Sequence, residues 1–300
     1  MQSMKKWPQL MALSSLFLGL SSGNVSGEDN KRVVSAGGMI TEIVYALGEE
    51  RCLVGADISS LYPEAATKLP QVGYMRMLSA EGVLALQPSL LLTTVEGGPP
   101  NVLEQLKDAG VEVLPLSAEY TAAAAEERIR KVAAALKVEA KAEPIVAALQ
   151  KDLKTAEEKV KNTSGKPKVL FIYARGGGTL NVGGTKTAAD AMIALAGGIN
   201  AVTGYEGYKP LTAEAVVAAE PDFLLVTTRG LESAGGLESF LRQPGLALTM
   251  AGKNRRVIAM DDLYLLGFGP RLGKAASELC DLLHPQQVVA RSAPAHLGMD

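Results

Sequence analysis

Tyr74 and Arg76 stand two residues apart in Gly73-Tyr74-Met75-Arg76-Met77, a phenol and a guanidinium separated by one side chain. A phenolate is a hard oxygen donor suited to a ferric centre, but an ordinary tyrosine titrates near pH ~10 and is mostly protonated at neutrality. A fixed positive charge beside it favours the ionised form. If the segment is extended, the two-residue alternation of a strand puts both side chains on one side, and Arg76 supplies that charge. Taken alone, a tyrosine after a glycine is more often a packed loop aromatic.

Other chemistries find less support. Cys52 and Cys280 are the only cysteines, and neither has a cysteine or histidine at metal-ligand spacing apart from His284, close to Cys280. Both cysteines are expected to be small buried apolar residues, although an exported chain could pair them. The histidines are His284 and His296 alone, too few and too late in the chain for a Ser-His-Asp set. Gly176-Gly177-Gly178 could cradle a phosphate, but no Gly-Lys-Ser/Thr or dinucleotide fingerprint follows. A manganese or zinc site would need a cluster of histidines and carboxylates that is missing. A formal net charge of -2 and 5% aromatic residues exclude the basic, ring-rich surface that nucleic acids require.

The elements that must position these residues come from a repeat. Leu78 to Leu92 (LSAEGVLALQPSLLL) matches Leu211 to Leu225 (LTAEAVVAAEPDFLL) at eight of fifteen positions without a gap. In each copy Ser79 or Thr212 is an N-cap, and Glu81 or Glu214 follows in the first turn, where the helix dipole favours a carboxylate. Pro88 or Pro221 ends the helix, and an apolar run leads as a buried strand into Thr93-Thr94 or Thr227-Thr228. Gly73-Tyr74 and Gly207-Tyr208 precede the two copies one residue out of step, so the tyrosines need not be equivalent.

Around the repeat, strand and helix alternate. Strands are expected at 32–35, 53–56, 90–95, 111–114, 168–173 and 256–260. Helices are expected from Met39 to Leu47, 101–109 and 188–195, closed by Gly48, Gly110 and Gly197-Gly198, with a last one ending at Leu283. Leu263 to Pro270 reads as a loop. This rhythm calls for an α/β chain with parallel sheets and helices on both faces. The unpunctuated stretch from Ala118 to Lys161 reads as a helix from Thr121 to Ala142 and a second with Pro144 at its first position. The second carries an apolar stripe of Ile145, Leu149, Leu153, Ala156 and Val160, and its ~28 Å length would span two lobes.

Lys5 and Lys6, the apolar run Leu10 to Leu20 and the small residues after it read as a secretory signal over 1–27, too short to span a bilayer. The expected order is then an N-terminal lobe over 28–142, an inter-lobe helix and linker over 143–166, a C-terminal lobe over 167–285 and a frayed tail over 286–300. No cysteine follows the apolar run, which argues against a lipid anchor. An exported chain of two α/β lobes joined by a rod describes a protein that closes a cleft around a small ligand.

Nearly all of the expected mature chain resembles the periplasmic haem-binding proteins of bacterial haem ABC importers, which belong to the helical-backbone class III of substrate-binding proteins. The resemblance is carried by Arg32-Val-Val-Ser-Ala-Gly-Gly, Glu42, Ala46-Leu47-Gly48 and the fairly specific Gly73-Tyr-Met-Arg-Met-Leu-Ser context. In the second half it is carried by Gly183-Gly184-Thr185, Thr187-Ala-Ala-Asp-Ala-Met-Ile, Leu195-Ala-Gly-Gly, Gly207-Tyr208-Lys-Pro-Leu-Thr and Pro221-Asp222. It implies two Rossmann-like lobes joined by a long helix, haem b as transported ligand in the cleft, no catalysis, and Tyr74 as axial ligand to the iron with Arg76 beside it.

Some members use a second-lobe histidine as a further ligand where this chain has Tyr173-Ala174-Arg175-Gly176-Gly177. The departure favours one protein ligand, with Arg175 at the porphyrin edge. Arg229 is the expected partner of a propionate and Tyr208 a pocket-lining aromatic. The resemblance also implies a periplasmic location, an ABC permease dimer with its ATPase as partner, an outer-membrane haem receptor upstream, and Glu81 and Glu214 docking on the two halves of the permease. Within the same fold the alternative ligands are a ferric siderophore or cobalamin, and an exported enzyme is the remote alternative.

Overall fold

The computed structural model describes residues 31–174 and 180–285; the expected signal and the tail beyond Pro285 lie outside them. Strands β1 (Val33–Ser35), β2 (Leu53–Ala56), β3 (Leu90–Thr94) and β4 (Glu112–Leu116) form a sheet in the order β2-β1-β3-β4. All its pairings are parallel, Leu90 lying opposite Glu112 and Thr94 opposite Leu116. β1 and β3 are buried throughout, so their sequences read as near-continuous apolar runs. Successive side chains still part to opposite faces. Val33, Leu90 and Leu92 join one core with Ile40 and Ile43 of the helix Gly38–Ala46, while Val34 and Leu91 join another with Val102 and Leu106 of the helix Pro100–Asp108.

The second half holds β5 (Lys168–Tyr173), β6 (Asn181–Gly183), β7 (Ile199–Asn200), β8 (Tyr208–Pro210), β9 (Phe223–Thr227) and β10 (Val257–Met260). Its sheet runs β10-β9-β5-β6-β8, with β7 also on β5. β10, β9, β5 and β7 pair in parallel, but β6 is antiparallel to β5 and β8 to β6. The sheet is therefore mixed rather than parallel. Only seven residues separate β5 from β6, too few for the dozen or more that a parallel crossover needs. A hairpin is the remaining connection.

The repeat is present in the backbone. Ser79 Oγ accepts the Gly82 N–H at 3.0 Å and Thr212 Oγ1 the Ala215 N–H at 3.2 Å. The helices they cap, Ala80–Leu84 and Ala213–Ala219, bury the equivalent Val83 and Val216. Gln87 and Glu220, equivalent positions before Pro88 and Pro221, both take a positive φ, 48° and 44°. A following proline disfavours the right-handed helical region, and each copy leaves its helix through the left-handed one. The copies part at their ends. Thr94 and Thr227 each finish a strand, but Thr227 also caps a helix, Thr228–Ser233, by accepting the Gly230 N–H at 3.1 Å.

The helical linker differs in detail from expectation. Its first helix is Ala122–Ala135, seven residues short of Ala142. Lys137 takes φ 60° and the Val138 N–H turns back to the Ala133 carbonyl, a helix-ending motif with lysine in place of the usual glycine. Its second, Ala142–Lys161, is about 30 Å long and has Pro144 in its first turn, where no helical N–H is lost. Leu149 and Ala156 are buried, with Ile145, Leu153 and Val160 partly so, in one core that also takes Leu90 from the first sheet and Phe171 from the second. The last helix, Leu272–Leu283, crosses it so closely that a Cβ on Gly273 would lie 2.4 Å from the Leu153 nitrogen.

Two arginines tie the halves together. Arg271 donates to both oxygens of the buried Glu42 carboxylate, at 2.8 and 2.9 Å, and its guanidinium lies 3.6 Å from the Tyr62 ring centroid. Arg128, fully buried, donates to the Ser117 and Glu119 carbonyls and, at 2.7 Å, to the Phe268 carbonyl of the second half. Cys52 and Cys280 are both buried thiols. Among the described residues no helix is long and apolar enough to cross a membrane.

Candidate functional site: a cleft at the carboxyl ends of both sheets

A cleft of about 570 Å³ opens where the strands of the two sheets end. The segments after β1, β3 and β4 bring Gly37, Thr94, Glu96 and Tyr120; those after β5, β9 and β10 bring Ala174, Arg229 and Asp262. The carboxyl end of an open α/β sheet is where such folds hold ligands, because loops there diverge to opposite faces. Asp57 shapes the floor. Its buried carboxylate accepts the Gly37 N–H at 3.0 Å and the Ser59 and Ser60 hydroxyls, which fixes the loop carrying Ile58 and Ser59.

Tyr74 and Arg76 both line the cleft, but the segment between them is a turn, not a strand. The Met77 N–H donates to the Tyr74 carbonyl at 2.7 Å. Gly73, at φ 88°, enters the turn in a conformation that side chains rarely adopt although there is room for one. The turn is pinned on both sides, by the Ile58 N–H to the Gly73 carbonyl and the Gly98 N–H to the Met75 carbonyl. Arg76 folds back over it: one guanidinium N–H donates to the Tyr74 hydroxyl at 2.6 Å, and the other terminal nitrogen is paired with the Glu96 carboxylate. Burial lowers the Arg76 pKa, but the Tyr74 oxygen and Glu96 outweigh it, so the net shift is upward and the guanidinium stays charged. Glu96, two residues past β3, is absent from the sequence-level site because nothing in its own neighbourhood marks it.

Arg229 lies across the cleft in the first turn of the helix Thr228–Ser233, exposed, with its backbone N–H donating to the Asp262 carboxylate at 3.3 Å. Asp262 opens the helix Asp262–Leu266, which Asp261 caps through the Tyr264 N–H at 2.9 Å. The segment expected to be loop from Leu263 therefore begins as a helix, and the Asp-Asp-Leu start was its capping signal. Arg175 lies outside the described residues.

Tyr208, on the edge strand β8, does not line this cleft; it packs on Tyr173, which does, at 5.5 Å between ring centroids. Although 44% of Tyr208 is exposed, its hydroxyl is held by Thr187, and burial with Tyr120 and Tyr173 nearby pushes its pKa up to about 12. It stays a neutral phenol at ordinary pH. Tyr120 was not foreseen. It meets Phe268 edge-on at 5.5 Å, and burial, then Glu96, raises its pKa. Arg128, whose pKa burial lowers to about 10, holds the loop before Tyr120 to Phe268 from behind. His284 is away from the cleft, and His296 lies outside the described residues.

The periplasmic binding protein family matches residues 33–264. Among solved structures, the periplasmic haem-binding protein RhuT from Roseiflexus sp. RS-1 is 44% identical, with a TM-score of 0.82 over 85% of this chain and 98% of that one. A periplasmic haem-binding protein from Pseudomonas aeruginosa is 39% identical, with a TM-score of 0.78 over 85% of this chain and 93% of that one. Among curated relatives, the ABC transporter substrate-binding lipoprotein YvrC of Bacillus subtilis is 30% identical over 86% of this chain and 81% of its own length. The vitamin B12-binding protein of Pectobacterium atrosepticum is 27% identical over 88% and 92%. With that match over most of its length, and with a cleft at the strand ends of two α/β lobes joined by a helix, the chain belongs to the periplasmic binding protein family.

Proposed function

We propose that this protein captures haem in the cleft between its two halves and hands it to an ABC permease. It is a transport component, not an enzyme. The observation that carries the reading is the Tyr74 hydroxyl at the cleft wall with the Arg76 guanidinium 2.6 Å away. A phenol so placed offers ferric iron a hard oxygen donor, and the guanidinium donates a hydrogen bond to that same oxygen. Tyr74 is the axial ligand in this reading, and the described wall of the second half offers no histidine to complete a pair. Arg229 on the opposite wall is a propionate partner, Arg175 serves the porphyrin edge, and Tyr208 supports Tyr173 from behind. The structural relatives named above bind haem, which fits this donor set better than the more distant vitamin B12-binding relative does.

In this reading residues 28–142 and 167–285 are the lobes, 143–166 joins them, and 1–27 is a signal that sends the chain to the periplasm. The cargo is haem b, delivered upstream by an outer-membrane receptor, and the permease is driven by its ATPase. Glu81 and Glu214, exposed at equivalent positions of the repeat, dock on the two permease halves.

The test is an absorption titration with haemin, cyanocobalamin and a ferric siderophore, wild type beside Tyr74→Phe. Wild type is expected to bind haemin with a tyrosinate-to-iron charge-transfer band. Tyr74→Phe is expected to lose the band and to weaken binding by more than about a hundredfold, beyond what outer-shell partners usually contribute. Unchanged haemin binding and spectrum in the variant, or preference for either other ligand, would overturn the reading.

A further inference from the structure

We propose that Glu96 is a positioning residue of the haem site, holding the Arg76 guanidinium against the Tyr74 oxygen while neutralising its charge. The inference rests on the reading of Tyr74 as iron ligand.

Arg76 is half exposed on a surface turn, and an arginine so placed loses much side-chain freedom when it is fixed. Its fork has two terminal nitrogens. One reaches Tyr74 and the other is taken by Glu96, which comes from a different element, the end of β3. Glu96 is itself anchored, its backbone N–H donating to Thr94 Oγ1 at 3.3 Å and the next residues turning back onto the 74–77 turn through Gly98 and Met75. The chain Tyr74–Arg76–Glu96 thus joins the two segments that form one wall of the cleft.

Two features of the cargo make the third member matter. Haem brings two propionates, each able to draw a half-exposed guanidinium away in bidentate contact, and Glu96 already occupies the free arm of the fork. Ferric haem also carries a net positive charge at the iron. A bare guanidinium beside the phenolate would repel it, whereas the ion pair supplies the same N–H donor at zero net charge. Other charged or ionisable groups face this corner. Tyr120 comes from the loop after β4, Tyr173 and Tyr208 from the second sheet, and Arg229 and Asp262 from the far wall. None of these is placed to hold Arg76 as Glu96 does.

The experiment compares haem dissociation, by transfer to apomyoglobin, and the visible spectrum for wild type, Glu96→Ala, Glu96→Gln and Tyr74→Phe. Melting of the haem-free forms controls for folding. Glu96→Ala is expected to release haem roughly tenfold faster, the scale of one charge-assisted hydrogen bond, and to shift the charge-transfer band with no change in the haem-free melt. Glu96→Gln keeps an acceptor for Arg76 and is expected to restore most of the dissociation rate but not the band position. Wild-type dissociation and spectrum in Glu96→Ala, with Tyr74→Phe losing its band, would overturn the Glu96 assignment alone. A Tyr74→Phe variant that keeps its band would overturn the ligand reading and this one with it.

Discussion

At the scale of single residues, the protein keeps ionisable groups neutral where its core needs them and charged where its cleft does. Arg76 has its charge protected by Tyr74 and Glu96, whereas Tyr208, a phenol in similar company, is pushed the other way by burial. Cys52 shows the same logic in the core. Burial first, then Glu49, raises its thiol from 9.0 to about 11. Because the folded value lies above the unfolded one, the fold prefers the protonated thiol. That contribution is complete below pH 9 and is lost as pH climbs through about 11, where the unfolded chain ionises first. Melting followed from pH 8 to 11 is expected to show the wild-type Tm falling faster than that of Cys52→Ala, so that the gap between them closes. Parallel curves would show that the thiol does not titrate with folding.

At the scale of elements, the tightest joint is between the helices Ala142–Lys161 and Leu272–Leu283. Alanine normally improves on glycine within a helix by up to about 1 kcal/mol. At Gly273 the added carbon would sit 2.4 Å from the Leu153 nitrogen and 2.6 Å from the Asp152 carbonyl carbon, main-chain atoms that cannot swing aside. Gly273→Ala is expected to destabilise the protein by about 1–3 kcal/mol in urea unfolding, the usual cost of forcing atoms into a packed interface. A stabilised variant would mean the helices separate freely. This contact could not be read from the sequence, where Gly273 is one small residue at a helix start and Leu153 lies 120 positions away. What was legible was local. Ser79 and Thr212 as caps, Glu81 and Glu214 in the first turns and the buried strand after each proline follow from residue type and spacing over a few positions. The hairpin through β6 and β8 was hidden because three-residue strands carry too little pattern, and the helix Thr228–Ser233 because Thr-Thr serves equally as a strand end or a cap. Tyr74 and Arg76 were legible as a pair because they lie within one turn. Glu96, twenty residues on, was not, since only the folding of the segment after β3 onto the 74–77 turn brings it there.

At the scale of the whole molecule, the duplicated halves are joined by continuous apolar packing and by Glu42 with Arg271 and Arg128 with Phe268, so the cleft walls are braced rather than hinged on a loop. Under the proposed function, a braced molecule meets its permease through two fixed contact points, and the repeat offers a candidate pair. Glu81 and Glu214 sit in the first turn of equivalent exposed helices, and among the described residues neither enters an ion pair. A homodimeric permease presents the same basic surface twice, so two equivalent carboxylates match its symmetry. Because both lie outside the cleft lining, Glu81→Ala and Glu214→Ala are expected to leave haemin titrations unchanged. In vesicles carrying the cognate importer, each single variant is expected to lower haem-dependent ATP hydrolysis several-fold, as losing one interfacial ion pair would, and the double variant to reduce it to the level without binding protein. If the double variant stimulated hydrolysis like wild type, the repeated carboxylates would be no more than helix-start residues, and the contact points would have to be sought elsewhere on the two halves.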